Sequence, residues 1–335
     1  MDQSNPAKGP KRRRRRRVFK MLGIAVVLVL VAGIGAALWL QHSLGNQIER
    51  LPSALPTNKD RPKPTSGKAL NILLLGSDKR ADGSVAGQRS DTMMVLHIAS
   101  DRKSASLVSI PRDSWVDIPG HGKAKINAGF SWGGPALAVQ TVEQLTDVRM
   151  DHVAVIDWAG FKALTNALGG VDITIPKTVT NSYTGKTWEA GSYHMDGATA
   201  LDYVRQRAGL PGGDFDRIKR QQNLMRALMS KTLTAGTLTN PVKLYDVLDA
   251  VTSNLAVDED WSTSQMRNLA FSLRGLRSGD VHFTTVPLRG LGTEGAQSVV
   301  YLDLPAGKEL WQAVRADKAA QWIEKNHAGL GAEVS

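Results

Sequence analysis

Residues 70–113 read LNILLLGSDKRADGSVAGQRSDTMMVLHIASDRKSASLVSIPRD, and three apolar runs inside them set the fold class. Leu70 to Leu75 is a short, largely apolar run ending at Gly76, and Thr92 to Ile98 and Ala105 to Ile110 repeat that signal. Runs this short, bounded by turn residues, predict buried strands. His152 to Ile156 and Val171 to Ile175 add two more, with helical spacing over Trp158 to Leu168 between them and Gly169-Gly170 as its stop. Pro135 to Leu145 predicts another helix, with proline suited to its first turn. Further helices are expected at about 214–235, 241–253, 262–275 and 306–325, and strands near 281–286 and 298–302. Strands interleaved with helices predict an α/β fold, an α-β-α sandwich with a mixed central β-sheet, over residues 70–330.

Outward from this domain the composition changes. Residues 41–69 hold Pro52, Pro56, Pro62 and Pro64 among polar residues, which predicts a flexible extracellular linker. Its typical span would be about 30 Å and its extended limit about 90 Å. Met21 to Leu40 is twenty residues without a charge. As a helix it rises about 30 Å, the thickness of a bilayer core, and predicts one transmembrane helix. Residues 1–20 carry nine Lys and Arg, including Arg12 to Arg17, against Asp2. Positive charge stays inside, so this tail is expected in the cytoplasm and the domain outside. A cleaved signal peptide is the alternative, although the apolar run exceeds the roughly 7–15 residues of a signal core.

The same tail accounts for +8 of the +11 formal charge. The rest of the chain is close to neutral and does not read as a nucleic-acid binder. Cysteine is absent, which excludes thiolate nucleophiles and cysteine zinc sites. The seven histidines form no His-x-x-x-His pair, and neither a P-loop nor a G-x-S-x-G elbow is present.

What remains is acids and arginines at strand ends, where open α/β sheets bind ligands. Gly76-Ser77-Asp78-Lys79-Arg80 follows the first strand, Gln88-Arg89-Ser90-Asp91-Thr92 leads into the next, and Pro111-Arg112-Asp113 closes the third. Residues 196–222, DGATALDYVRQRAGLPGGDFDRIKRQQ, add Arg205, Arg207, Arg217, Arg220 and Gln221. Arg217, Arg220 and Gln221 share one helix face at i, i+3, i+4. Arginine forks match phosphate oxygens two at a time, and carboxylates suit a hard cation, so the set predicts a Mg²⁺-assisted phosphoryl site. A solvated basic helix is the competing reading of residues 214–222 alone.

These segments resemble, in order, the LytR-CpsA-Psr family of cell-wall glycopolymer ligases. The match runs through NILLLGSDKR, RSDTMMV, SIPRD, KINAGF at 125–130, ALGGVDITIP, DGATALDYVRQR and DFDRIKRQQ. The resemblance implies a membrane-anchored phosphotransferase that moves a glycan phosphate from a polyprenyl-pyrophosphate carrier to a peptidoglycan hydroxyl. It implies Asp78 and Asp91 as ligands of Mg²⁺, and Arg89, Arg112, Arg205, Arg207, Arg217, Arg220 and Gln221 around the pyrophosphate. Arg89, Asp91, Arg112 and Asp113 are the expected catalytic set, with Asp91 and Asp113 both open as the general base. Val153, Val155, Ile173, Ile175, Leu224 and Leu228 are candidates to line a lipid tunnel, with core packing as the alternative. A lipid pyrophosphatase and a non-catalytic carrier-binding protein are the rival functions. The polymer is not specified: teichoic acid, arabinogalactan and capsular polysaccharide all fit.

Overall fold

The computed structural model describes residues 48–57, 61–77, 90–206, 209–210, 214–232, 246–247, 249–250 and 253–328, without the side chains of Asp91, Asp214, Phe215, Arg217 and Ile218. The expected basic tail and membrane span lie outside these, as does most of the helix expected at 241–253. Among the described residues, no helix is long and apolar enough to cross a membrane.

The apolar runs are strands. β1 (Glu49–Leu51), β2 (Leu70–Ser77), β3 (Ser90–Ile98), β4 (Ala105–Ser109), β7 (His152–Asp157), β12 (Leu255–Asp258) and β13 (Val281–Thr285) form one sheet in the order β1-β12-β7-β2-β3-β4-β13. Three parallel pairs (β1/β12, β7/β2, β4/β13) stand among three antiparallel ones (β12/β7, β2/β3, β3/β4), so the sheet is mixed as expected.

Side-chain parity then builds the layers. Leu73 lies opposite Val95 on β3 and Val153 on β7. This face packs on helix α1 (Asn127–Thr146) through Val139 and Val142, and on α6 (Leu304–Arg315) through Leu310 and Val314. The other face, with Ile72, Ile98 and Val257, receives Met266 and Leu269 of α5 (Thr263–Ser272). Met94, Leu107 and Phe283 on that face receive Met225 and Met229 of α4 (Asp214–Thr232). Each fully buried Leu or Val contributes about 1.5–3 kcal/mol. A smaller body stands beside the sheet. There β8 (Val171–Ile175) pairs with β11 (Gly191–Met195) under α2 (Trp158–Ala167), α3 (Gly197–Arg205) and α4.

Three expectations need correction. Residues 48–57 and 61–69 are not a free linker: β1 joins the sheet, Ala54 is core, and Arg61 pairs with Glu143. The helix expected over 306–325 is two, α6 and α7 (Ala319–Lys325), split where Asp317 takes φ 58°. Its carboxylate accepts from Ser100 N at 3.1 Å and lies 3.0 Å from His97 Nε2, contacts that hold the break in place. Helix α1 begins before Pro135, at Asn127, and kinks at Gly133 and Gly134, the latter at φ 62°. Short hairpins at β5 (Trp115–Ile118)/β6 (Gly122–Lys125), β9 (Val179–Thr180)/β10 (Thr187–Trp188) and β14 (Leu288–Glu294)/β15 (Gln297–Leu302) complete the fold.

Candidate active site

One sheet edge collects the ends of β2, β4, β7 and β13 and the start of β3. It is polar and buried: Ser77, Ser90 and Ser109 are all under 5% exposed. Buried hydroxyls require partners. Ser90 Oγ donates to Thr92 O at 2.7 Å, and Gln222 Nε2 donates to Ser109 Oγ at 2.8 Å. Gln222 also reaches Thr285 Oγ1 at 2.9 Å and Thr284 O at 3.1 Å, so α4 is tied to both β4 and β13. Its own Oε1 is buried without a hydrogen-bond partner among the described residues. Gln222→Leu removes the donor from these acceptors and is expected to cost about 1–3 kcal/mol in urea unfolding. An unchanged midpoint would show the tie to be dispensable.

Just past β4, Ser114 N and Oγ both donate to Pro111 O, at 3.0 and 2.7 Å, and close a turn. The turn presents Arg112 and Asp113. Arg112 Nε donates to Asp113 Oδ2 at 3.3 Å, and Lys125 Nζ lies 3.1 Å from Asp113 Oδ1. Asp113, expected among the catalytic residues, is thus the counter-ion that orients Arg112 and Lys125. To serve as a base it would have to leave both. Lys125 opens the KINAGF segment, and its part in the site was not anticipated.

The arginines of residues 196–222 divide. Asp196 caps α3 by accepting from Thr199 N at 2.8 Å, and the helix ends on Arg205. Arg205 is exposed, stands 5.4 Å over the Trp158 ring, and makes no hydrogen bond or ion pair with the described residues. Arg220, one helix on, is 2% exposed. It donates to Tyr203 O at 3.3 Å and Gln206 Oε1 at 3.2 Å and lies 4.3 Å over the Tyr203 ring. Burial lowers its pKa, with Tyr203 and Asp216 pulling the other way. Arg220 therefore clamps α4 to α3, and Gln221 beside it is half-buried. Asp78, Arg89 and Arg207, and the side chains of Asp91 and Arg217, lie outside the described residues.

The six expected tunnel residues fall into two separate hydrophobic clusters. Val153 and Val155 pack in the core under α1, whereas Ile173, Ile175, Leu224 and Leu228 belong to the smaller body. Trp158 packs against that second cluster, so Arg205 stands above its apolar side chains. Trp158, Tyr203 and Gln206 were not anticipated, although Tyr203 and Gln206 sit within the quoted DYVRQR.

Among the described residues no three His, Asp or Glu side chains are grouped to hold a metal ion. The donor chemistry nevertheless suits Mg²⁺. The β2–β3 ladder pairs Ser77 with Ser90, so the chain positions adjoining Asp78 and Asp91 come from neighbouring strands at this edge. Two carboxylates are the hard oxygen donors that Mg²⁺ takes alongside phosphate.

Comparison with known proteins gives the family and the fold. A family model described as LytR_cpsA_psr family matches residues 44–316. "Cell wall biosynthesis protein LcpA" of Corynebacterium glutamicum is 34% identical over 280 residues, covering 70% of this chain and 54% of that one. The chain thus spans about half the length of that relative. "Polyisoprenyl-teichoic acid--peptidoglycan teichoic acid transferase TagU" of Enterococcus faecalis is 33% identical over 264 residues, 77% of this chain and 84% of that one. A solved structure of TagT bound to LI-WTA superposes with a TM-score of 0.61 at 25% identity, covering 79% of this chain and 96% of that one.

Proposed function

Because the chain belongs to the LytR_cpsA_psr family, we propose that it is a transferase that moves a glycan phosphate from a polyprenyl-pyrophosphate carrier to a peptidoglycan hydroxyl. The observation that carries this reading is Arg205: an exposed cation with no carboxylate partner among the described residues, seated on Trp158 above an apolar cluster. An anionic headgroup with an apolar tail matches both halves of that arrangement. The anchor expected at residues 21–40 would keep the domain at the outer membrane surface, where such a lipid is embedded.

In the reaction the acceptor oxygen attacks the phosphorus that bears the glycan. The bond from that phosphorus to the bridging oxygen breaks, polyprenyl monophosphate leaves, and a phosphodiester joins glycan to wall. The hydroxyl proton passes to a base or to water. Charge builds on the leaving phosphate, and preplaced donors there lower the barrier. Arg205 supplies one such fork, and Arg112, fixed by Asp113, supplies a second from the sheet side. Arg220 ties α4 to the end of α3, the helix that carries the exposed Arg205. Mg²⁺ held by Asp78 and Asp91 would add divalent charge against the pyrophosphate oxygens.

The test uses the full chain in detergent with Mg²⁺, a polyprenyl-pyrophosphate-linked glycan and uncrosslinked peptidoglycan, with mass spectrometry of the products. Polyprenyl monophosphate plus a sugar phosphodiester on the acceptor is expected, with turnover lost in chelator and restored by Mg²⁺. Lipid monophosphate with free sugar phosphate would mean hydrolysis, and intact bound lipid would mean carriage; either result overturns the transferase.

A further inference from the structure

The hairpin β9–β10 exposes an aromatic ring where folding gains nothing from it. Tyr183 is 89% exposed at its tip. The tip is nonetheless tightly built. Asn181 Oδ1 accepts from Tyr183 N at 2.9 Å and Thr184 N at 3.2 Å, and Asn181 N donates to Lys186 O at 2.8 Å. Lys186 pairs with Asp202 on α3 and stands 4.3 Å over the Trp188 ring. At the base of the hairpin, Gly209 has φ 79°, and a Cβ there would fall 1.8 Å from Thr180 O. Glycine thus lets the loop after α3 press directly onto β9. Hydrogen bonds through Asn181 thus fix the turn that carries the ring into water.

Tyr183 borders a cavity of about 530 Å³ whose other walls include Lys162, Asn181, Asp202 and Arg205. Lys162 is exposed and makes no ion pair among the described residues, while Asp202 is engaged by Lys186. The cavity therefore offers one aromatic face, amide and hydroxyl groups, and two cations, Lys162 and Arg205, that make no ion pair among the described residues, while the Asp202 carboxylate on its wall is taken up by Lys186. A flat apolar face beside convergent polar groups is what a pyranose ring needs, and the cations call for an anionic substituent.

The geometry points to this cavity as a subsite for an anionic sugar unit: the pyranose against Tyr183, and its phosphate or carboxylate between Arg205 and Lys162. The assignment rests on the transferase reading, since Arg205 links the cavity to the transferred phosphate. It adds a substrate-selecting surface to the reaction without a new chemical step. The sugar is either the first unit of the donor polymer or a carboxylate-bearing unit of the peptidoglycan acceptor.

Tyr183→Ala and Lys162→Ala in the full chain test it in two ways. Saturation-transfer NMR with N-acetylglucosamine 1-phosphate and with a muramyl tripeptide reads binding without turnover. At least one probe is expected to bind the wild type and to lose its signal in Tyr183→Ala. Steady-state assays should show KM for that same substrate rising about tenfold with kcat within a factor of two. A donor-side rise assigns the polymer sugar, and an acceptor-side rise assigns peptidoglycan. Thermal melting is expected to be unchanged, because the ring is solvent-exposed. Binding by neither probe, or binding that both variants retain, overturns the subsite. Failure of transfer in the wild type with NMR binding intact would sink the transferase reading alone.

Discussion

Replacing Arg205 by alanine is expected to lower turnover about 10²- to 10³-fold, the effect of removing one preplaced donor worth about 2.7–4 kcal/mol to a charged transition state. The melting temperature should barely move. Among the described residues the Arg205 side chain makes no hydrogen bond or ion pair, and its position over Trp158 is an exposed cation–π contact worth about 0.5–1 kcal/mol. Arg205→Lys keeps the charge but loses the planar fork, so it should recover part of the rate. Arg220 gives the contrast. Arg220→Ala empties a buried site and frees two acceptors, Tyr203 O and Gln206 Oε1. Stability and turnover should fall together there. Initial rates and thermal melts on the same preparations separate the two arginines. Near-wild-type turnover in Arg205→Ala would remove it from the phosphate site.

That contrast also marks how far the sequence could be read. The strands at Leu70, Thr92, Ala105 and His152 were legible because a mostly apolar run of five to seven residues bounded by turn residues has few other uses. The polar edge was legible because SIPRD places charges directly after such a run. Arg217 and Arg220 share a face by spacing, but spacing does not say what covers that face. Only the packing of α3 on α4 puts Arg220 under Tyr203. The division of the tunnel candidates was hidden for the same reason: Val153 and Ile173 look alike in sequence, yet they occupy separate clusters. Nor did the sequence show that Lys125 would reach Asp113 from the next hairpin. Long-range pairing is invisible to periodicity.

The prolines at 52–64 misled most, and a second large effect follows from them. A chain beginning at residue 68 is expected to be less stable than one beginning at residue 48 by at least about 3–5 kcal/mol, the cost of leaving one partner of a buried ion pair alone. Arg61 and Glu143 are 9% and 4% exposed and meet at 2.7 Å, with Arg61 Nη2 also donating to Met150 O at 2.6 Å. Truncation deletes Arg61 and leaves Glu143 buried inside α1. It also removes β1, exposing the edge of β12, together with the contacts of Arg50 with Thr263 and Thr65 with Asn71. Glu143→Ala in the longer chain isolates the pair, leaving Arg61 alone, and should reproduce most of the loss. Arg61→Met combined with Glu143→Leu should recover much of it, because apolar side chains of similar volume avoid the desolvation of two charges. Urea unfolding of the four chains reads the order directly. Equal midpoints for starts at 48 and 68 would mean that residues 48–67 rest on the domain without holding it. The expected order instead makes them part of the catalytic body, since Glu143 and β12 belong to the layers that support the polar edge.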